Sequence, residues 1–174
     1  EETSLQIKKI NSDLDSETNK LLTNTVLTFS DLKTNRMTDY KFDLDKFTNI
    51  SGKTGIYVQY ALVRAKKLLK NSSINSRNIN LNISDFDESD LNLLRGLIKF
   101  EYYFNLALEN NEPHHLADYL YELSNLFNSM YQNENILENK KETIKQNKLK
   151  ISEYFVTYST LLMESLGLEP VEKM

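Results

Sequence analysis

The sequence predicts an all-α fold, a helical bundle with one main core. Only 4 of its 174 residues are glycine and 2 are proline, and such low contents disfavour the many tight turns of a β-sandwich or β-barrel. Apolar residues recur at helical spacing through most of the chain, which is the pattern of helices that bury one face. A hydrophobic content of 40% is compatible with a packed core in a chain of this length.

Two helices and a connector are predicted ahead of the central stretch. Residues 5–10 and 15–32 place apolar side chains on one side of a helix. Residues 31–47 lose that spacing, so we predict an irregular or briefly extended connector there. Thr54 is a candidate N-cap for the next helix, and residues 71–84, rich in Asn and Ser, are predicted as a loop.

Three further helices are predicted in the second half. Carboxylates from Asp87 onward favour the start of a helix through residue 108, Pro113 suits the first turn of a helix ending near residue 132, and Gly167 suits the end of a helix over 140–167. Residues 133–139 are predicted as a loop. The predicted buried positions are Leu93, Leu97, Phe100, Phe104 and Leu108, then Leu116, Leu120, Leu123, Phe127 and Met130, then Ile144, Ile151, Phe155, Leu162 and Leu166.

Composition excludes several classes of function. The chain has no cysteine, which removes disulfides, thiolate metal sites and thiol chemistry. A net charge of −4 argues against nucleic-acid binding through bulk charge, although local basic patches remain at residues 64–70 and 140–150. No apolar run approaches the roughly 20 residues that cross a bilayer, so we expect no membrane partner and a cytoplasmic location. A start at Glu1 rather than Met is compatible with a piece of a longer protein.

The stretch 52–70 carries the main functional signal. On a helix it places Tyr57, Tyr60 and Arg64 on one side, followed by lysines. Phenol rings offer faces on which nucleobases stack, and a guanidinium binds phosphate or stacks in turn. Charge runs are more often solvated helix faces, so the lysines carry weight only beside the aromatic residues.

This stretch resembles the segment that opens the helical anticodon-binding domain of arginyl-tRNA synthetases. The matching residues are Gly52, Thr54, Gly55, Tyr57, Tyr60, Ala61 and Arg64. Similar strings follow in the connector (Asp31, Leu32, Asn35, Arg36, Asp39, Tyr40, Phe42, Asp45), after Pro113 (Leu116, Tyr119, Leu120, Tyr121, Leu123, Phe127, Tyr131) and at the end, LGLEPVEKM. The similarity runs from about residue 26 to residue 174, which implies a connector over 1–50 and an anticodon-binding bundle over 51–174.

The resemblance implies that arginine tRNA is the partner and that its anticodon loop is read by single-stranded recognition. Tyr57 and Tyr60 are expected to stack on bases, and Arg64 to bind a phosphate or base edge. Tyr131 and Met174 are expected to form the wall of a base pocket. Phosphate contacts without sequence preference are expected from Lys66, Lys67 and Lys70.

No catalytic residues are predicted. The two ATP-binding signatures of the family, His-x-Gly-His and a Lys-Met-Ser-Lys-Ser-like loop, do not occur. ATP, Mg²⁺ and arginine activation are therefore expected to belong to a parent catalytic domain, and no cofactor to this chain. His114 and His115 are neighbours, whose side chains diverge by about 100 degrees on a helix, so no metal site is expected.

Alternatives remain at several positions. Tyr57, Tyr60 and Tyr131 are also compatible with core or interface aromatics of a protein-interaction module that binds no RNA. A stand-alone paralogue that binds tRNA without charging it is a third possibility. The last residues form either a frayed tail, the ordinary expectation, or a tail docked near the anticodon, and Arg36 and Asp39 either a local surface pair or functional residues.

Overall fold

A computed structural model describes residues 1–72, 79–133 and 135–174. These residues form eight α-helices and no strand, which confirms the predicted all-α class. The helices are α1 (Glu2–Ile10), α2 (Ser16–Leu32), α3 (Leu44–Phe47), α4 (Gly55–Asn71), α5 (Glu88–Leu97), α6 (Phe100–Asn110), α7 (His114–Asn133) and α8 (Glu142–Ser165). Short 3-10 turns cover Ile83–Asp85 and Ile136–Glu138. No helix in the described part is long and apolar enough to span a membrane.

The main core lies between α4, α7 and α8, with α5 packed on α7 and α8. All five apolar positions predicted for α7 are buried, and so are four of the five predicted for α8, Ile144 being half-buried. The rings of Phe127 and Phe155 stack at a centroid distance of 4.4 Å between these two helices. Burial of the α7 and α8 stripes therefore positions the C-terminal end of α7 beside α4.

The helix predicted from Asp87 to residue 108 is wrong in one respect, because it is broken at Ile98 and Lys99 into α5 and α6. The hydroxyl of Tyr119 donates to the carbonyl oxygens of Gly96 at 2.9 Å and Leu97 at 3.3 Å. These two carbonyl oxygens therefore have a hydrogen-bond partner even though the helix does not continue past them. Past the break the predicted core position Leu108 is 62% exposed.

The connector between α2 and α4 is irregular, as predicted, with only the short α3 inside it. Its alternating aromatic residues pack locally, since the rings of Tyr40 and Phe42 lie 5.9 and 5.0 Å from that of Phe47. No ion pair joins Arg36 to Asp39 within the described ranges, so the local surface pair, one of the two alternatives, does not form. The predicted loop after residue 70 falls partly on residues 73–78, outside the described part.

A buried charge network fixes α8 to the start of α5. The ammonium of Lys148, fully buried, lies 2.8 Å from carboxylate oxygens of both Asp87 and Asp90. Lys148 falls within the basic patch predicted at residues 140–150, yet its charge is paired with these two carboxylates. Burial raises the pKa of Asp90. Burial acts in the same sense on Asp87, but hydrogen bonds from Lys148, Ser89 and the Asp90 backbone outweigh it and lower the Asp87 pKa to about 2.

Candidate nucleic-acid interface

The helix α4 is fixed at its first turn by Thr54 and Gly55. Thr54 Oγ1 accepts a hydrogen bond from the backbone N–H of Tyr57 at 3.1 Å, which confirms the predicted N-cap. At Gly55 a Cβ atom would lie 2.7 Å from the carbonyl oxygen of Thr25, so only glycine allows this approach of α4 to α2. The turn sets the direction in which the polar side chains of α4 project.

Three of the predicted site residues come together in what we call the arginine stack, Tyr60, Arg64 and Tyr131. The central carbon of the Arg64 guanidinium lies 4.4 Å from the ring centroid of Tyr60 and 4.9 Å from that of Tyr131. Arg64 donates to the Tyr60 hydroxyl at 2.7 Å and to Oδ1 of Asn128 at 2.8 Å. All three stack residues are half-buried, so the guanidinium is held in place while part of its surface faces solvent.

The arginine stack borders a groove between α4 and the residues that follow α7. The groove has a volume of about 390 Å³ and is lined by Arg64, Leu68, Tyr131, Gln132, Asn135, Ile136 and Leu137. We call it the stack groove. Its walls combine an aromatic ring, a guanidinium and amides with apolar side chains, a combination that suits a flat, polar-edged ligand such as a nucleobase.

Tyr57 lies apart from the stack. Its hydroxyl donates to Oδ1 of Asn125 at 2.7 Å, and its ring is tilted against that of Tyr121 at a centroid distance of 5.5 Å. Asn125 lies one helical turn before Asn128 on α7, so Tyr57 contacts α7 next to the arginine stack without being part of it.

The C-terminal tail is docked rather than frayed. The side-chain amide of Gln59, fully buried, donates to the carbonyl oxygen of Glu169 at 2.7 Å and accepts from the N–H of Val171 at 3.0 Å. Val171 is 2% exposed. Lys173 reaches Asp15 at 2.9 Å, and the Thr18 backbone N–H together with Lys173 lowers the pKa of that carboxyl. The tail thus packs across both α4 and α2.

Met174 is half-buried at the end of this tail. It lines an apolar hollow of about 230 Å³ together with Tyr60 and residues of α1 and α2, including Ile7 and Leu22. Tyr131 lines the stack groove instead. The structure therefore does not bring Tyr131 and Met174 to one pocket wall, and Tyr60 lies between them.

The predicted lysines lie along a second groove of about 600 Å³, between the end of α4 and the tail, which we call the lysine groove. Lys66, Lys67 and Lys70 line it with Lys173 and Glu172. Lys66 is paired with Glu172 at 2.5 Å. Lys67 and Lys70 are exposed, and neither has an ion pair in the described part of the chain. The ammonium groups of Lys67 and Lys70 are therefore available to bind an anion in this groove, whereas that of Lys66 is already paired with Glu172.

The two histidines also differ from expectation. Their ring centroids lie 4.1 Å apart in the first turn of α7, since rotation about the side-chain bonds lets neighbouring rings converge. His115 Nε2 lies 3.0 Å from Oε2 of Glu112, whereas Asp118 pairs with Lys53.

Comparison with known proteins shows the family of this chain. The sequence profile of the DALR anticodon binding domain matches residues 58–174. The chain belongs to this family. The arginine stack, the three lysines and Met174 all fall within the matched residues of the DALR domain.

Relatives of this DALR domain are arginyl-tRNA synthetases, which confirms the resemblance seen in the sequence. The arginine–tRNA ligase of Buchnera aphidicola is 37% identical over 148 residues, 84% of this chain and 25% of the relative. That of Serratia proteamaculans is 32% identical over 97% of this chain and 30% of its own length. Arginyl-tRNA synthetase from Plasmodium falciparum superposes with a TM-score of 0.82 at 29% identity, covering 98% of this chain and 30% of that one. The chain thus spans less than a third of these relatives.

Sequence reasoning missed two residues that organise the DALR domain surface. Asn128 holds Arg64, and Gln59 holds the tail. Gln59 stands between Val58 and Ala61 on the buried side of α4, and a lone amide in such a stripe is a usable signal for a buried hydrogen-bond partner. No comparable signal marks Asn128, because from the sequence a polar residue on α7 could equally well face solvent.

Proposed function

We propose that this chain reads the anticodon loop of arginine tRNA on behalf of a parent arginyl-tRNA synthetase. Membership in the DALR anticodon binding domain family implies tRNA binding, and the relatives are arginine–tRNA ligases. The single observation that carries the assignment to a surface is the arginine stack, a preorganised guanidinium in contact with two half-buried phenol rings. Arginine activation, with ATP and Mg²⁺, belongs in this proposal to the parent's catalytic domain.

Recognition in this proposal depends on unstacked bases. Single-stranded RNA is usually bound by splayed bases that stack on aromatic or guanidinium planes. Arg64 lies 4.4 Å from the Tyr60 ring centroid and 4.9 Å from that of Tyr131, and in this proposal a base stacks on the solvent-facing part of this group. Gln132 and Asn135 in the stack groove supply amides for base edges. Tyr57, bonded to Asn125, serves as a flanking surface.

Phosphates are bound beside the stack by the lysine groove. Lys67 and Lys70 are exposed cations on the same helix as Arg64. The whole chain carries a net charge of −4, so attraction for RNA comes from this local patch rather than from the overall charge. Met174 closes the apolar hollow next to Tyr60 and gives a base an apolar edge.

The test is binding to a stem-loop RNA that carries an arginine anticodon. Tyr60→Ala should weaken binding by roughly 1 to 3 kcal/mol, or about five- to hundredfold. The matched control is Tyr102→Ala, because Tyr102 is 64% exposed on α6, away from the grooves, and should leave affinity unchanged. Circular dichroism should show both variants folded. Equal affinities for the two variants would mean that the stack does not bind RNA.

A further inference from the structure

We propose that Glu112, His114 and His115 bind a divalent transition-metal ion of the zinc class. One ligand atom from each of these residues lies within 4.8 Å of the others. The cluster is at the start of α7, whereas Tyr131 is near the end of that 20-residue helix. The site is therefore separate from the arginine stack and does not depend on RNA binding.

The backbone that carries these ligands is fixed. Asn111 ends α6 in the left-handed conformation with φ of 52°, and the N–H of Glu112 donates to the carbonyl oxygen of Ala107 at 3.0 Å. One step on, the N–H of His115 donates to the carbonyl oxygen of Glu112 at 3.2 Å. These bonds fold the chain into a turn that presents Glu112 and both imidazoles on one side.

The side chains are also close to a coordinating arrangement. His115 Nε2 and Glu112 Oε2 share a hydrogen bond of 3.0 Å, which a metal ion would replace, since two tetrahedral ligands about 2 Å from zinc lie about 3.3 Å apart. The centroids of the two imidazole rings lie 4.1 Å apart, and the ring planes are tilted by 35°. Small side-chain rotations bring the nitrogen atoms of both rings and the carboxylate oxygen around one point.

The donor set suits zinc. Two imidazole nitrogens and one carboxylate oxygen are among its preferred ligands, and three protein ligands leave a fourth position for water. The side chains of His115 and Glu112 are 25% and 26% exposed, so an ion can enter while the ligands stay partly shielded. The carboxylate also offsets part of the ion's charge.

A partner from the connector holds the carboxylate. The side-chain amide of Asn35 donates to Oε1 of Glu112 at 3.4 Å, leaving Oε2 directed at His115. Such outer partners orient ligands, and their loss weakens metal binding by about 10- to 100-fold. A metal bound here would fasten the connector, through Asn35, to the turn between α6 and α7.

The experiment is a titration of the 174-residue chain, prepared without a histidine tag, with Zn²⁺ by calorimetry and with Co²⁺ by visible absorption. We expect one ion per chain, a rise in the thermal unfolding midpoint with Zn²⁺, and Co²⁺ bands typical of low coordination number. Glu112→Gln and His115→Ala should each weaken binding at least about tenfold. Glu109→Gln, an exposed carboxylate in the last turn of α6, is the matched control and should bind like the parent chain.

Two results would overturn the proposal. One is the absence of stoichiometric binding by the unaltered chain. The other is equal binding by Glu112→Gln, His115→Ala and Glu109→Gln when circular dichroism shows all three folded. Neither result bears on RNA binding, since the anticodon stem-loop assay reports on the arginine stack.

Discussion

Arg64 on α4 lies over the ring of Tyr131 on α7, with 4.9 Å between the guanidinium carbon and the ring centroid. The residues are far apart in sequence, and their approach depends on the packing of α4 and α7 against α8. Asn128, one turn before Tyr131, accepts a hydrogen bond from the same guanidinium. Orientation of Arg64 is therefore set by α7, and changes in that orientation should be separable from changes in its charge.

Replacing Arg64 by lysine should separate the effect of the guanidinium's orientation from the effect of its charge. Arg64→Lys keeps the positive charge but loses the planar fork that reaches both Tyr60 and Asn128. We expect stem-loop affinity to fall by about 1.4 kcal/mol, roughly tenfold, with the salt dependence unchanged. Fluorescence anisotropy over a range of KCl concentrations measures both. The reverse exchange Lys67→Arg is the control, and a loss of equal size there would argue against a special role for the fork.

Lys67 should act through its charge alone. It is exposed on the lysine groove and has no ion pair in the described ranges. Lys67→Ala should reduce the slope of log affinity against log salt by about 0.7 to 0.9 if it neutralises one phosphate, with no change in base preference. Lys20→Ala, an exposed lysine on α2, is the matched control. Altered preference among anticodon variants would instead place Lys67 at a base edge.

Glu172 should compete with RNA for Lys66. Their ion pair is 2.5 Å long, and Glu172 is 80% exposed, so the pair is worth at most about 1 kcal/mol. Glu172→Gln should tighten stem-loop binding by up to roughly fivefold. Glu169→Gln removes the same charge from an exposed position of the tail and controls for net charge. In a Lys66→Ala background the advantage of Glu172→Gln over Glu169→Gln should vanish.

Gln59 should govern whether the tail stays docked. Gln59→Leu leaves the N–H of Val171 and the carbonyl oxygen of Glu169 without their partner, which costs about 1 to 3 kcal/mol. We expect a lower urea midpoint and faster removal of the last residues by carboxypeptidase, followed by mass spectrometry. Gln146→Leu, on the outer side of α8, is the control. Unchanged carboxypeptidase digestion would show that the apolar contacts hold the tail without Gln59.

Asp87 should make stability depend on pH in the acid range. Its folded-state pKa of about 2 lies below the ordinary 3.8, so its ionised form stabilises the fold above about pH 4, and this contribution is lost as the pH falls toward 2. Asp87→Asn keeps an N-cap acceptor but removes the charge. The difference in unfolding free energy between the parent chain and Asp87→Asn should shrink between pH 4 and pH 2. Asp13→Asn, at an exposed position, is the matched control for the loss of one carboxylate.

Local pattern predicted the helices well, because helical spacing, the Thr54 cap and the Gly167 stop are encoded within a few residues of each boundary. It missed the break at Ile98, which depends on the Tyr119 hydroxyl arriving from another helix. The same limit applies to the site. Spacing put Tyr57, Tyr60 and Arg64 on one strip, but it could not show that Asn125 and Asn128 of α7 bind Tyr57 and Arg64. Contacts between helices are not visible in periodicity.

The docked tail has a consequence for the first helix. Met174 shares its apolar hollow with Ile7 and Ile10 of α1, so the tail and the first helix cover one another at one site. Segments that cover one another in this way lose their apolar contacts together. Release of the last residues would therefore expose apolar side chains of α1, at the opposite end of the described chain, as well as those of the tail itself.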